Sequence, residues 1–302
     1  MPGSDVPGDV TFRAGGSAAN TCRAFVGLGG AATFIGAVGD DYWGRRLAAS
    51  LRRDGVSLRL VRVGRPTARL LALLGPQGER SFVTQRGAAD ALRPEHVRRA
   101  WLQSSDVLHV PAYSLLSEPL RSAALVAAGQ ARSAGAVISL DLASRGPLLA
   151  AGRRVATERV AEVRADLLLA NADEARALVG RRGERRLLDL APVVVIKEGS
   201  AGCRVLWRPL SGASADVLEL DVATAPLEAS DTTGAGDAFD AGFLYTLAKA
   251  GPPGVGQQAA GKDADDERSR ALRRAQLLRR AAVAGHRAAA RMLLGPRPEL
   301  IL

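Results

Sequence analysis

In the stretch "ASDTTGAGDAFDAGF" (229–243), three small residues, Gly234, Ala235 and Gly236, run directly into an acid, Asp237, and then into an apolar run of helical character. A helix start carries unpaired N–H groups and the positive end of the helix dipole, so this segment can hold an anion. The acid at the same place has two readings. It can cap the helix, or it can take the proton of a hydroxyl that attacks a phosphorus held by the open amides. The second reading joins charge stabilisation and proton abstraction in one turn. Neither common phosphate loop accounts for it: GxxxxGK[ST] is absent, and Phe239 stands where a dinucleotide fingerprint needs its third glycine.

The elements that would position such a turn can be read from periodicity. Short apolar runs alternate with longer amphipathic ones, the pattern of a parallel sheet with crossover helices. "TFIGAV" (33–38), "DVLHV" (106–110), "AVISLD" (136–141), "DLLLAN" (166–171) and "PVVVIK" (192–197) read as buried strands. Ligands of such sheets bind beyond the strand C-termini, which puts Asp141, Asn171 and Lys197 where chemistry would be, although each also suits a cap or a loop. Residues 58–86 lack a helical stretch and predict a small antiparallel meander standing off the main domain, either a lid or an edge extension. Residues 251–269 mix Gly, Pro and charge without period and predict a mobile surface loop. The Arg-rich stretch 270–293 predicts a helix packed on the sheet.

Composition sets limits on the partners. At 302 residues, with 47% hydrophobic and 24% charged residues, the chain suits one large α/β domain or two small ones. The net charge of +10 comes almost wholly from arginine, since the only lysines are Lys197, Lys249 and Lys262. Those arginines are scattered as pairs along the chain, which points to coding bias rather than to a nucleic-acid-binding face. Cys22 and Cys203 show no CxxC spacing, and His96, His109 and His286 form no metal-binding pair, so neither a disulfide nor a zinc site is expected. No apolar run approaches the ~18 residues of a membrane span, and the N-terminus has no basic or apolar leader pattern. The expectation is a soluble cytoplasmic protein without a membrane or nucleic-acid partner.

Two segments resemble one family. "DTTGAGDAFDAGFL" (231–244) is similar, nearly letter for letter, to the C-terminal signature of the ribokinase-like carbohydrate kinases, also called the phosphofructokinase B type. "GGSAANTCRAFVGLGGAATFIGAVGDDYWGRRLAASLRRDGV" (15–56) is similar to the N-terminal signature. The resemblance spans essentially the whole chain. It implies a single domain over 1–302: a ribokinase-like three-layer α/β/α sandwich with a mainly parallel sheet and a small β lid at about 9–14 and 58–86. It implies Asp237 as catalytic base and Gly234, Ala235 and Gly236 as anion hole. "NADE" matches an NxxE motif, implying that Asn171 and Glu174 organise magnesium and the ATP phosphates through water. "VIKEGSAG" implies Lys197, Gly199 and Gly202 near the nucleotide, and His286 falls where an adenine contact would be. Gly16, Ser17 and Asn20 would meet the substrate. Asp231 and Thr233 match a monovalent cation (K+) site found in some members, and the lid implies a homodimer as one arrangement.

The implied activity is ATP-dependent phosphorylation of a primary hydroxyl on a small sugar or sugar acid. A nucleoside kinase is the near alternative, with Phe12 and Tyr113 as candidate stacking residues. A ligand-binding homologue without turnover is the alternative from another class. Its support is a departure from the pattern: members begin with a strand carrying a sugar-binding Asp, whereas fourteen residues precede Gly15 here. The expectation is a start placed too late or a missing inner strand, with Asp5 and Asp9 as weak substitutes. A missing inner strand would leave its neighbours with unpaired backbone groups.

Overall fold

A computed structural model describes residues 11–74, 80–143, 145–181, 183–208, 217–227, 229, 231–251 and 264–295. In chain order the elements are α1 (Ser17–Gly27), β1 (Thr33–Gly39), α2 (Tyr42–Arg53), β2 (Ser57–Val63), β3 (Arg69–Leu74), β4 (Arg80–Gln85), β5 (Val107–Pro111), α3 (Leu120–Ser133), β6 (Val137–Asp141), α4 (Arg145–Leu149), α5 (Arg153–Val163), β7 (Leu167–Asn171), α6 (Ala172–Val179), β8 (Val193–Lys197), β9 (Cys203–Trp207), β10 (Leu218–Val222), α7 (Ala235–Lys249) and α8 (Ala264–Leu294). All five apolar runs read as strands are strands.

The central sheet has the order β10-β9-β8-β7-β6-β5. Strands β5 to β8 are parallel, and β9 and β10 close the sheet antiparallel. Burial on both faces explains why these runs are continuously apolar rather than alternating. Leu168, Ala170, Val194 and Ile196 face α3, α5 and α6, while Leu167, Leu169, Val193 and Val195 face α7 and α8. The result is a three-layer α/β/α sandwich. On the second face the helices pack very closely. A Cβ on Gly242 of α7 would lie 2.5 Å from the Ala284 carbonyl oxygen of α8, so glycine is required at that crossing.

Two expectations about the outer segments need correction. Residues 58–86 do not form one antiparallel meander, because β2 runs parallel to β1, joined to it through α2 as a crossover unit. Leu58 packs with Leu51 and Phe34 on one face, and Val61 packs with Ile35 on the other, so β2 is held by packing on both sides despite Arg59 and Arg62 between. Only β3 and β4 form the antiparallel ribbon. Residues 11–14 are not strand, and residue 9 lies outside the described residues. In the predicted loop 251–269, residues 252–263 also lie outside the described residues, and helix α8 already begins at Ala264. The parallel strands are divided: among the described residues β1 pairs with β2 alone and β5 with β6 alone, leaving one edge of each unpaired.

The ribbon is tied to the body at its base. Asp41 caps α2 through the Gly44 amide at 2.8 Å and also accepts from the Thr67 amide at 2.8 Å and from its hydroxyl. Thr67, at 2% exposure, in turn receives the Gly39 amide. Burial opposes ionisation of Asp41, but the Thr67 and Gly44 donors and the Arg69 guanidinium outweigh it and hold the carboxyl at about 2. A depressed carboxyl contributes stability that is present above its unfolded pKa and is lost as pH falls through the folded one. Asp41→Ala is therefore expected to lower the unfolding free energy by about 1 kcal/mol at neutral pH, as the loss of a cap does. In urea titrations that difference should shrink as pH falls from about 4 to about 2.

Candidate active site

The turn that opens α7 has the geometry its sequence suggests. Gly234 is the N-cap in the left-handed region at φ 85°, which a residue with a side chain adopts at a cost. The Ala235 amide is used internally, donating to the Thr232 carbonyl at 3.1 Å. That leaves the Gly236 and Asp237 amides, which have no acceptor among the described residues, at the positive end of a 15-residue helix. The amides open to an anion are thus those of Gly236 and Asp237, with Gly234 and Ala235 shaping the turn.

Helix α1 packs along α7 and brings two side chains to Asp237. The Ser17 hydroxyl donates to Asp237 Oδ1 at 2.8 Å, and Asn20 Nδ2 donates to Oδ2 at 2.9 Å. Both carboxylate oxygens are therefore oriented. Burial raises the Asp237 pKa, and the Asn20 and Ser17 hydrogen bonds act against that rise. Gly16 lies just ahead as the α1 N-cap. No local pattern signals that Ser17 and Asn20 would meet Asp237, because the contacts span 220 and 217 residues.

Behind the turn lies a second charged group. Lys197 at the end of β8 donates to Asp141 Oδ1 at 3.0 Å and to Asp240 Oδ1 at 2.9 Å. Asp141 is 4% exposed and Asp240 is fully buried. The ammonium is thus engaged inside the protein, and a Cβ on Gly236 would lie 3.6 Å from it. Burial opposes the charge on Lys197, but Asp141 and Asp240 more than restore it and push its pKa up. Asp240, buried with Oδ2 unpartnered among the described residues, is pushed up. Below them His109 Nδ1 meets Ser139 Oγ at 3.2 Å, and burial holds the imidazole down at about 4, so it is neutral at physiological pH. Asp240 escaped the sequence reading, although an acid inside the apolar run "AFDAGF" was the available signal.

Asn171 and Glu174 form a reciprocal capping box at the start of α6: Asn171 Oδ1 accepts the Glu174 amide at 2.8 Å and Glu174 Oε2 accepts the Asn171 amide at 2.9 Å. Burial, followed by the charge of Asp141, lifts Glu174 to about 7. With Oε2 committed to the cap, the pair offers too few oxygens to cage a divalent ion alone. It fits a magnesium ion that keeps waters and phosphate oxygens in its shell. No group of three or more metal-ligating side chains occurs among the described residues. Asp231 does not fit a monovalent cation: Oδ2 faces the Arg13 guanidinium at 3.2 Å and Oδ1 accepts the Thr233 amide at 2.9 Å.

Gly199, Gly202 and His286, expected near a nucleotide, lie elsewhere. Gly199 opens the turn between β8 and β9, and Gly202 approaches the Val222 carbonyl so closely that a Cβ would sit 2.2 Å from it. His286 of α8 lies beside the Val222 backbone and packs edge-on against Phe239 at 5.1 Å. Gly202 and His286 thus meet at the end of β10, while Lys197 turns inward at the end of β8.

Open amides at a helix start, an oriented carboxylate beside them, and a sheet whose strand ends converge there define a ribokinase-like small-molecule kinase. The chain belongs to the pfkB family of carbohydrate kinases, whose family model matches residues 3–287. It is an ATP-dependent carbohydrate kinase. A probable fructokinase-4 of Arabidopsis thaliana is 33% identical over 256 residues, covering 81% of this chain and 76% of that protein. The adenosine kinase structure from Sinorhizobium meliloti superposes with a TM-score of 0.74 at 28% identity, covering 94% of this chain and 79% of that one. A putative ribokinase II from E. coli, solved in complex with ATP and Mg2+, shares the fold at a TM-score of 0.73 and 21% identity, covering 99% of this chain and 88% of that one. Among the described residues no helix is long and apolar enough to cross a membrane.

Removing one of the donors that steady the Asp237 carboxylate should raise its pKa further. Hydrogen bonds to charged groups contribute about 1.5–3 kcal/mol, so Ser17→Ala is expected to move the Asp237 titration up by roughly one unit or more. Carboxyl-carbon NMR of labelled protein reads that shift, and an unmoved titration would show that the Ser17 contact carries no weight.

Proposed function

We propose that the protein phosphorylates a hydroxyl, most simply a primary one, of a small sugar or sugar acid at the expense of ATP. The observation that carries this reading is Asp237, held by Ser17 and Asn20 beside two open amides of the same helix turn. In this reaction the Asp237 carboxylate accepts the proton of the acceptor hydroxyl. The freed oxygen attacks the γ-phosphorus, the bond from that phosphorus to the bridging oxygen breaks, and ADP leaves. The Gly236 and Asp237 amides hold the oxygens of the phosphoryl group in transit. Asn171 and Glu174 would hold a magnesium ion through its waters, and that ion would supply charge neutralisation to the ATP phosphates. Gly199, Gly202 and His286 line the nucleotide side, and Gly16, Ser17 and Asn20 the acceptor side.

The β3–β4 ribbon acts as the lid. It exposes Leu70, Leu71, Leu73, Phe82 and Val83, all more than half exposed, which suits a surface that closes over substrate or meets a second copy of the chain. The free thiols Cys22 and Cys203, held up at about 11 and about 12 mainly by burial, suit a reducing cytoplasm. A nucleoside acceptor is the second reading. Its support is the 28% identity to an adenosine kinase and the Phe12–Trp43 stack, with ring centroids 5.3 Å apart.

The test is ADP release from ATP and Mg2+ across a panel of fructose, other ketoses and aldoses, sugar acids and adenosine. Turnover with a sugar or sugar acid supports the reading. Turnover with adenosine alone replaces it, and no turnover with any acceptor overturns it. Asp237→Asn is expected to lower turnover by about 10²–10⁴-fold, the usual worth of a general base, with ATP binding largely intact.

A further inference from the structure

The reaction as described leaves Lys197 without a task. It stands at a strand end beside the site, yet both of its ion pairs are to carboxylates inside the protein, Asp141 of β6 and Asp240 of α7. Its side chain is 13% exposed, and those of Asp141 and Asp240 are 6% and 0% exposed. Removing one partner from a buried pair is costly, so the ammonium is committed where it stands. No side chain intervenes between it and the turn, because residue 236 is glycine and even a Cβ there would lie 3.6 Å from Nζ.

The charges around Asp237 show what the ammonium does. From β6 it is faced by Asp141, from its own helix by Asp240, and from β8 by Lys197. The side chains from α1, Ser17 and Asn20, are uncharged, and the one from α8 that approaches Gly234 is Met292. Glu174 and His109 face the Asp141–Lys197 pair rather than Asp237. Lys197 is thus the cation on the protein side of Asp237, set against two carboxylates that repel it.

We propose that Lys197 is a positioning residue of the phosphoryl-transfer site: a fixed buried cation beneath the Gly234–Gly236 turn that offsets Asp141 and Asp240 and keeps Asp237 in its proton-accepting form. This rests on the kinase reading for its consequence but not for its measurement. A lysine that merely tied strand to helix would affect melting temperature and leave the proton affinity of Asp237 alone. A lysine reaching the nucleotide would change the KM for ATP.

The experiment compares wild type, Lys197→Met and Asp240→Asn by the pH profile of kcat at saturating ATP, by the KM for ATP, and by carboxyl NMR titration of Asp237. Lys197→Met should shift the acid limb of kcat and the Asp237 titration upward by about one unit, tenfold in proton affinity, with little change in the KM for ATP. Asp240→Asn keeps an oxygen for Lys197 and removes a repelling charge, so both readouts should move downward; it serves if Lys197→Met fails to fold. A limb and titration that stay at the wild-type position in either folded variant overturn the proposal, as does a many-fold rise in the KM for ATP without a shift. If wild type turns over no acceptor, the kinase reading fails, and the NMR titrations still decide the role of Lys197.

Discussion

One ammonium shared between two buried carboxylates joins the C-terminal ends of β6 and β8 to the first helical turn after the glycines. Charges with so little access to water are stable only while all are present and well placed, since losing one strands the others at a cost of about 3–5 kcal/mol. The arrangement therefore fixes more than electrostatics. It sets the depth at which α7 enters the sheet, hence where the Gly236 and Asp237 amides point, and hence where α1 must lie to reach Asp237. The close α7–α8 crossing at Gly242 holds the same helix from its other side.

That rigidity suits phosphoryl transfer. The chemistry asks the protein for little covalent work and for much positioning, so fixed donors that need not reorganise are the main contribution. Here the donors are backbone amides of a helix clamped between a sheet and another helix. By contrast, the ribbon that would exclude water is joined to the body by a few polar contacts around Thr67 and Asp41, and its leucines lie open.

Much of this was legible in the sequence because the signals were local. Buried parallel strands announced themselves as unbroken apolar runs, and the glycine-rich turn before Asp237 specified both a conformation and an anion preference. The strand-end rule directed attention to Asp141, Asn171 and Lys197. What the sequence withheld were contacts between distant segments. Nothing in "GGSAAN" shows that Ser17 and Asn20 grip an acid more than two hundred residues away. Lys197 was expected near the nucleotide because "VIKEGSAG" resembles a family segment beside it, and only its partners reveal that it turns in. β2 was misplaced because its arginines interrupt the apolar pattern, while packing on both faces, a tertiary effect, decides its pairing.

Among the described residues, edges of β1 and β5 have no strand partner, which bears on how the protein behaves outside its chemistry. A bare strand edge is a row of alternating donors and acceptors that any extended peptide can complete, and natural proteins cover or charge such rows to avoid it. Such edges bear on solubility, refolding yield and tolerance of concentration, where association through strand addition competes with the native fold independently of anything that happens at Asp237.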